Sequence, residues 1–337
     1  MRVSIYKMMF AIAMLALASC DEWKVQMVTE VMRDGSCVRT VTSDDGSCLT
    51  EDNGWVVLEK SDSLRLFPFD TVYSSVISRR FDRVEDMNGC PALHIYGKPV
   101  RSEASLDRKF KWFYTEYTFT ETFKGWDGDS GIPLTDYVTR DEASFWYTGY
   151  PELPKGITGQ EMLYLSDISE KTDHWMYDVT WDVYFRTIDR FYDEIDPPVD
   201  HRTFLSMRDT VMHTAWNEDV EFYKGSELEF LDRFFKTDAF TKAGDDDQVT
   251  EYGKNLWMQT LGLMNLEAPY MLVMPGRVTD AGRGKVEDGV IKYRFEGSFL
   301  IPGDYTFTAT SRCMNVWAFL LSGLILVVAV GSFLIKQ

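Results

Sequence analysis

Near its start the chain alternates: Trp23, Val25, Met27 and Val31 are separated by the polar Lys24, Gln26 and Glu30, the period-two spacing of a half-buried strand. Asp34-Gly35 suits a tight hairpin turn, with Val38 to Thr42 as the return strand and Trp55 to Leu58 as a further apolar stretch. After Pro68 the pattern lapses, and Phe69 to Phe81 reads as a loop or short helix. It returns strongly from Phe110 to Phe123, which predicts one long strand with Phe113, Tyr117, Phe119 and Phe123 on one face and Glu116, Thr118, Thr120 and Thr122 on the other. The aromatic face reads as core, because a stacking platform for bases would have basic residues interleaved and this stretch has none alternating with its rings.

Beyond Gly131 the spacing changes to three and four. Leu165, Ile168, Trp175 and Val179 form one apolar stripe, and Trp181, Phe185, Ile188, Tyr192 and Ile195 resume it in a shifted phase until Pro197-Pro198. One bent helix or two consecutive ones satisfy that pattern. Phe204, Met207, Val211 and Ala215 mark another helix. Ser226 with Glu229 has the form of a capping box opening a helix that carries Leu228, Leu231 and Phe235, and Val249 to Leu263 reads as one more. From Pro269 strands return: Tyr270 to Met274, then Ile291, Tyr293 and Phe295 alternating with charged residues, then Tyr305, Phe307 and Ala309 alternating with threonines up to Arg312.

Strands, then helices, then strands describe an α+β protein, in which a mostly antiparallel sheet built from N- and C-terminal strands carries a helical insertion. The expected division is a signal peptide at 1–19, a discontinuous β-rich domain at 20–158 and 266–312, the helical insertion at 159–265 and a transmembrane anchor at 313–337. The strand from Trp23 and the strand ending at Arg312 are expected to run antiparallel in one sheet, since short linkers join each to its membrane attachment.

Those attachments are read from the two ends. Arg2 and Lys7 precede the short apolar run Met8 to Ala18, the build of a secretory signal peptide. It ends in Leu17-Ala18-Ser19-Cys20, which resembles the lipobox of bacterial lipoproteins, so Cys20 is the candidate lipidation site and first mature residue. At the other end Val316 to Ile335 carries no charge, and its length at about 1.5 Å per residue matches the roughly 30 Å hydrocarbon thickness of a bilayer. Trp317 and Lys336 stand where interfacial anchors belong. A spanning helix together with Asp21 points to the inner, cytoplasmic membrane with the body facing the periplasm. Gly323 and Gly331 permit, without demanding, a homodimer through close helix pairing.

Charge narrows the partners. The chain carries 53 acidic against 35 basic residues, a net charge of −18, and three of the basic ones, Arg2, Lys7 and Lys336, lie outside the exported body. Such a body is expected to be repelled by anionic lipid headgroups and by nucleic acid. With Cys20 acylated, Cys37, Cys48 and Cys90 remain in the body and Cys313 at its boundary. The repeated Asp-Gly-Ser-Cys at Cys37 and Cys48 suggests a disulfide, but a turn at Ser43 to Gly46 would put the two out of register.

Candidate chemistry is thin. His94, His174, His201 and His213 make no metal-ligand spacing, and there is no HExxH, GxSxG, Walker loop or post-strand GxGxxG. Gly128-Asp129-Ser130-Gly131 echoes the nucleophile loop of chymotrypsin-like proteases, yet His94 lies too near Ser130 for the two barrels that hold that triad. As a calcium loop starting at Asp127 it fails too, with Ile132 and Val138 where Gly and Glu are required. No catalytic residue, cofactor or metal is assigned.

Three stretches are similar to uncharacterised envelope lipoproteins of Bacteroidales-type bacteria: VMRDGSCVRTV from Val31, KWFYTEYTFTETF from Lys111 and DYTFTATSRCMNVWAF from Asp304. The resemblance implies a lipobox, a periplasmic body and a terminal helix, and it names no activity. The expectation is a non-catalytic, membrane-tethered lipoprotein that contacts the bilayer through Cys20 acyl chains and the helix Val316 to Ile335 and binds or scaffolds an unknown envelope protein. The alternative is a periplasmic hydrolase using paired carboxylates, with Glu116, Asp127 or His174 in a deep pocket.

Overall fold

In the computed structural model the described residues are 23–44, 49, 54–64, 71–126, 131–150, 159–222 and 225–335. Alternating side chains become strands where predicted at the N-terminus: β1 (Trp23–Val31) and β2 (Cys37–Ser43) form an antiparallel hairpin, with Val31 opposite Cys37 and Val25 opposite Ser43. Its turn is braced by Ser36, whose backbone N–H and hydroxyl both donate to Asp34 Oδ1 at 3.0 and 2.7 Å. The stretch from Phe69 departs from expectation. After β3 (Val56–Leu64), residues Thr71–Phe81 form β4, paired antiparallel with β2 and β3. Its Ser75, Ser78, Arg79 and Arg80 blurred the hydrophobic alternation that the ladder hydrogen bonds sustain.

The expected single strand from Phe110 is a hairpin. After the short β5 (His94–Ile95) and β6 (Lys98–Pro99), β7 (Ser102–Lys111) turns at Trp112 and Phe113 into β8 (Tyr114–Phe123). A β-rich run of aromatic residues contained no glycine or proline to betray the turn.

The chain then forms helices: α1 (Arg140–Thr148), the long α2 (Gly159–Arg190, 32 residues), α3 (Tyr192–Ile195), α4 (His201–Ser206), α5 (Arg208–Asn217), α6 (Ser226–Phe235), α7 (Ala239–Gly244) and α8 (Asp247–Leu261). Helix α1 opens with a true capping box, in which Glu142 N–H donates to the Thr139 hydroxyl while Thr139 N–H donates to the Glu142 carboxylate. The box expected at Ser226 is absent. Gly225, at φ +82°, occupies the cap, and Ser226 instead donates to Glu221 O at 2.7 Å. The stripe on α2 buries Trp181, Phe185 and Ile188 against Phe204, Phe222, Phe230 and Phe240.

Strands resume with β9 (Leu266–Glu267), β10 (Tyr270–Val273), β11 (Arg277–Asp280), β12 (Lys285–Glu287), β13 (Val290–Tyr293) and β14 (Tyr305–Met314), followed by α9 (Val316–Ile335). The chain is α+β with two larger mixed-origin sheets. One runs β12-β13-β10-β1-β2-β4-β3 with β9 beside β1, and the other runs β11-β14-β8-β7. The first is mixed, because β1 pairs β10 and β9 in parallel. Hence β1 and β14 do not share a sheet as expected. They face each other from two sheets, since the inward residues of β14 pack on Tyr270 and Tyr293 of the first sheet, with Phe307 stacked on Tyr270 at 4.9 Å. Gly276, at φ +82°, lets the chain pass close to β14: a Cβ there would lie 2.4 Å from Arg312 O.

Two compact units result, Trp126–Asn265 and Glu22–Gly125 with Leu266–Gln337.

The transmembrane expectation is corrected. The apolar run does fold as α9, 20 residues long, but among the described residues no helix is long and apolar enough to cross a membrane.

Candidate ligand pocket in the helical unit

The residues singled out in the sequence do not converge. Cys20, Asp127, Asp129 and Ser130 lie outside the described residues. Glu116 is clamped by Arg312, whose Nε lies 2.8 Å from Oε2. His174 stacks on Trp216 with ring centroids 4.0 Å apart and meets Tyr137 edge-on, while its Nε2 stands 3.5 Å from Asp178 Oδ2. Asp178 also accepts the Tyr137 hydroxyl. Burial raises the Asp178 carboxyl above its ordinary range. An imidazole covered this way is packed as an aromatic, and it lines neither cavity described below. Cys37, Cys90 and Cys313 are free thiols, and burial pushes Cys37 up to about 11, which makes it inert at neutral pH. Cys48 is outside the described residues. Among the described residues no His, Cys, Asp and Glu group could hold a metal ion.

Two sites absent from the sequence reading dominate instead. The first is a buried ion pair between the sheets. Glu121 and Arg39 are 0% and 6% exposed. Glu121 accepts four hydrogen bonds, two from Arg39 (2.8 and 2.5 Å), one from the Ser102 hydroxyl (2.6 Å) and one from the Tyr270 hydroxyl (2.7 Å). Arg39 also donates to Thr29 Oγ1 from Nε and Nη2. Burial alone would raise the Glu121 carboxyl, yet the Arg39 charge and these hydrogen bonds outweigh it and hold the group below its ordinary value. A cavity of about 670 Å³ opens beside Arg39 and Ser102. The polar groups it borrows from this network are already satisfied, so they have little left for a ligand.

The second is a cavity of about 490 Å³ in the helical unit, between α2, α6, α7 and α8. Its walls are largely apolar, including Val183, Ile188, Phe222, Leu228, Phe240 and Met258. Gly253 brings α8 against α2, since a Cβ there would meet Thr187 Oγ1 at 3.3 Å. Into this cavity comes Glu227, only 5% exposed. Its Oε1 accepts the Tyr184 hydroxyl at 2.9 Å, and its buried Oε2 has no hydrogen-bond partner. The indole N–H of Trp257, on the same wall, is likewise buried and unpaired. Burial raises the Glu227 carboxyl above its ordinary range, opposed by its own backbone N–H and by Tyr184, with Glu229 adding repulsion.

An unpaired buried polar atom costs about 1–3 kcal/mol, and two residues in the lining of this one cavity each carry one. The arrangement is a mainly apolar chamber with the carboxyl-bearing Glu227 and the indole-bearing Trp257 in its lining. Among the described residues its lining holds no second carboxylate beside Glu227. Glu227 escaped the sequence reading because an acid in a first helical turn is ordinary. No family model, curated protein or solved structure matches this chain.

Proposed function

We propose that this is a non-catalytic binding protein of the bacterial envelope, tethered at the inner membrane through acylated Cys20, whose acidic periplasmic body takes up a small, mainly apolar ligand in the helical unit. The carrying observation is a largely apolar cavity of about 490 Å³, within the 300–1,000 Å³ typical of ligand sites, whose lining residues Glu227 and Trp257 each keep a buried polar atom unpaired. The ligand class that answers it presents an alkyl or aryl body, a hydroxyl or amine that donates to Glu227, and an oxygen that accepts from Trp257. A scaffold with no ligand would have little reason to keep a carboxyl raised by burial inside an apolar chamber.

The test uses N-phenyl-1-naphthylamine, an apolar fluorophore with one N–H donor, titrated into the full chain. Binding should saturate, and Val249→Trp, which places a bulky ring from a half-buried wall position, should weaken it at least about tenfold, as expected when a ligand-sized pocket is filled. Glu227→Leu should weaken it while leaving the helical circular dichroism unchanged. Equal dye binding by wild type and Val249→Trp would reject the pocket as the site.

A further inference from the structure

The β7–β8 turn and the base of α9 are joined into one exposed aromatic surface. Phe110, Trp112 and Phe113 on the turn are 58%, 44% and 44% exposed, and Trp317 and Phe319 on the helix are 51% and 44% exposed. Their rings interlock: Phe110 stacks on Trp317 at 6.2 Å, Trp112 meets Trp317 edge-on at 5.4 Å, and Phe113 leans on Phe319 at 4.7 Å.

Asn315 fixes the joint. Its side-chain amide donates to Lys111 O at 2.8 Å and Trp112 O at 3.3 Å, its backbone N–H donates to Phe113 O at 2.9 Å, and its Oδ1 accepts the Thr115 hydroxyl at 3.1 Å. The Trp112 indole N–H donates to Ser322 Oγ at 2.9 Å. The rings are therefore held outward by a polar frame, so their exposure is built in and is not an accident of a loose loop. Folding alone gives no reason to show so much aromatic area to water.

The geometry points to an interfacial collar: the Phe110–Phe113 turn rests in the headgroup and upper acyl region of an anionic lipid bilayer. Three features favour lipid over a protein partner. Tryptophan and phenylalanine with their polar atoms tied suit the boundary between headgroup and chain. The turn reverses the sign of the chain, placing Arg108, Lys109 and Lys111 around the rings in a protein of net charge −18, which complements anionic headgroups. Lys109 is partly offset by Asp107 at 2.7 Å, and Arg108 lies over the Tyr117 ring, leaving Lys111 at the tip. Finally, exposed Leu320 and Leu324 follow Trp317 at spacings of three and four along α9.

The experiment measures Trp112 directly, and so reads the collar whatever else attaches the chain to lipid. Full-length protein and Trp112→Phe, which keeps an aromatic ring, are incorporated in vesicles of phosphatidylcholine and phosphatidylglycerol, with acyl chains either plain or brominated near the headgroup. The difference between the two emission spectra is the Trp112 signal. Bromination should reduce it about twofold or more, as for a ring at the acyl boundary. Lys109→Gln with Lys111→Gln should lessen that quenching in the mixed vesicles and not in phosphatidylcholine alone; equal quenching of both proteins in the mixed vesicles would overturn the role of charge. A Trp112 signal blind to bromination but quenched by aqueous acrylamide would place the turn in water and overturn the collar. A signal blind to both would place it under protein, a second copy included, and would overturn it equally.

Discussion

Two buried carboxylates, one in each unit, are treated in opposite ways. Glu121 sits between two sheets with four donors on its two oxygens and a guanidinium against it. Glu227 sits beside a cavity with one side-chain donor among the described residues, Tyr184, and its Oε2 has no partner. Glu121 is held below its ordinary pKa by a countercharge strong enough to beat burial, whereas at Glu227 burial wins. A closed polar network specifies how two sheets meet, because any other packing would strand one of its charges. An open one leaves the protein with binding energy still to be realised.

The largest test of this contrast is Glu121→Ala. It strands the Arg39 charge between the sheets and should cost about 3–5 kcal/mol in denaturant unfolding; a loss under about 1 kcal/mol would show the pair to be hydrated and the closed-network view wrong. Removing the Tyr184 hydroxyl in Tyr184→Phe takes a side-chain donor from Glu227 and should cost about 1–3 kcal/mol. The double variant Arg39→Met with Glu121→Leu removes both charges together and should lie within about 1 kcal/mol of wild type, which separates the worth of the pair from the penalty of breaking it.

The smallest effect is the pH dependence. The raised Glu227 carboxyl keeps its proton in the folded protein at pH values where the unfolded chain has released it, so its contribution to stability is present below the unfolded pKa and is lost as pH rises through the folded one. Glu121 has the opposite sign, and its contribution is lost as pH falls through its depressed folded value. Glu227→Gln should therefore flatten the decline in melting temperature between about pH 5 and pH 8. Tyr184 on α2, Glu229 on its own helix and Lys254 of α8 on the same cavity wall are the ionisable groups near it. Adding a tight ligand should flatten the same decline in wild type; an unchanged slope in both cases would separate Glu227 from the pocket's chemistry.

Both sites had traces in the sequence. Glu121 falls in phase with Tyr117, Phe119 and Phe123, and Arg39 falls in phase with Cys37 and Val41. Opposite charges on the inward phases of two different strands are the signal of a buried pair, though the phase says nothing of which strands meet. Ser226 and Glu229 were spaced for a capping box, yet Gly225 took the cap because its positive φ suits the sharp entry into α6. The Trp112-Phe113 turn left no mark, since hydrophobic residues at a turn look like strand until something outside the strand is seen to hold them.

Local periodicity decided which stretches became strands and helices in β1, β2, β8, β14 and most of α2, because a side chain's in-or-out direction is set by the backbone repeat of its own element. Tertiary structure alone decided that β1 and β14 lie in facing sheets, that Arg39 meets Glu121 across them, that Glu227 ends with one oxygen unpaired in a cavity, and that the turn aromatics join α9. Each of these depends on residues far apart in the chain being brought within about 3–6 Å, and no repeat within one element carries the distance to its neighbour.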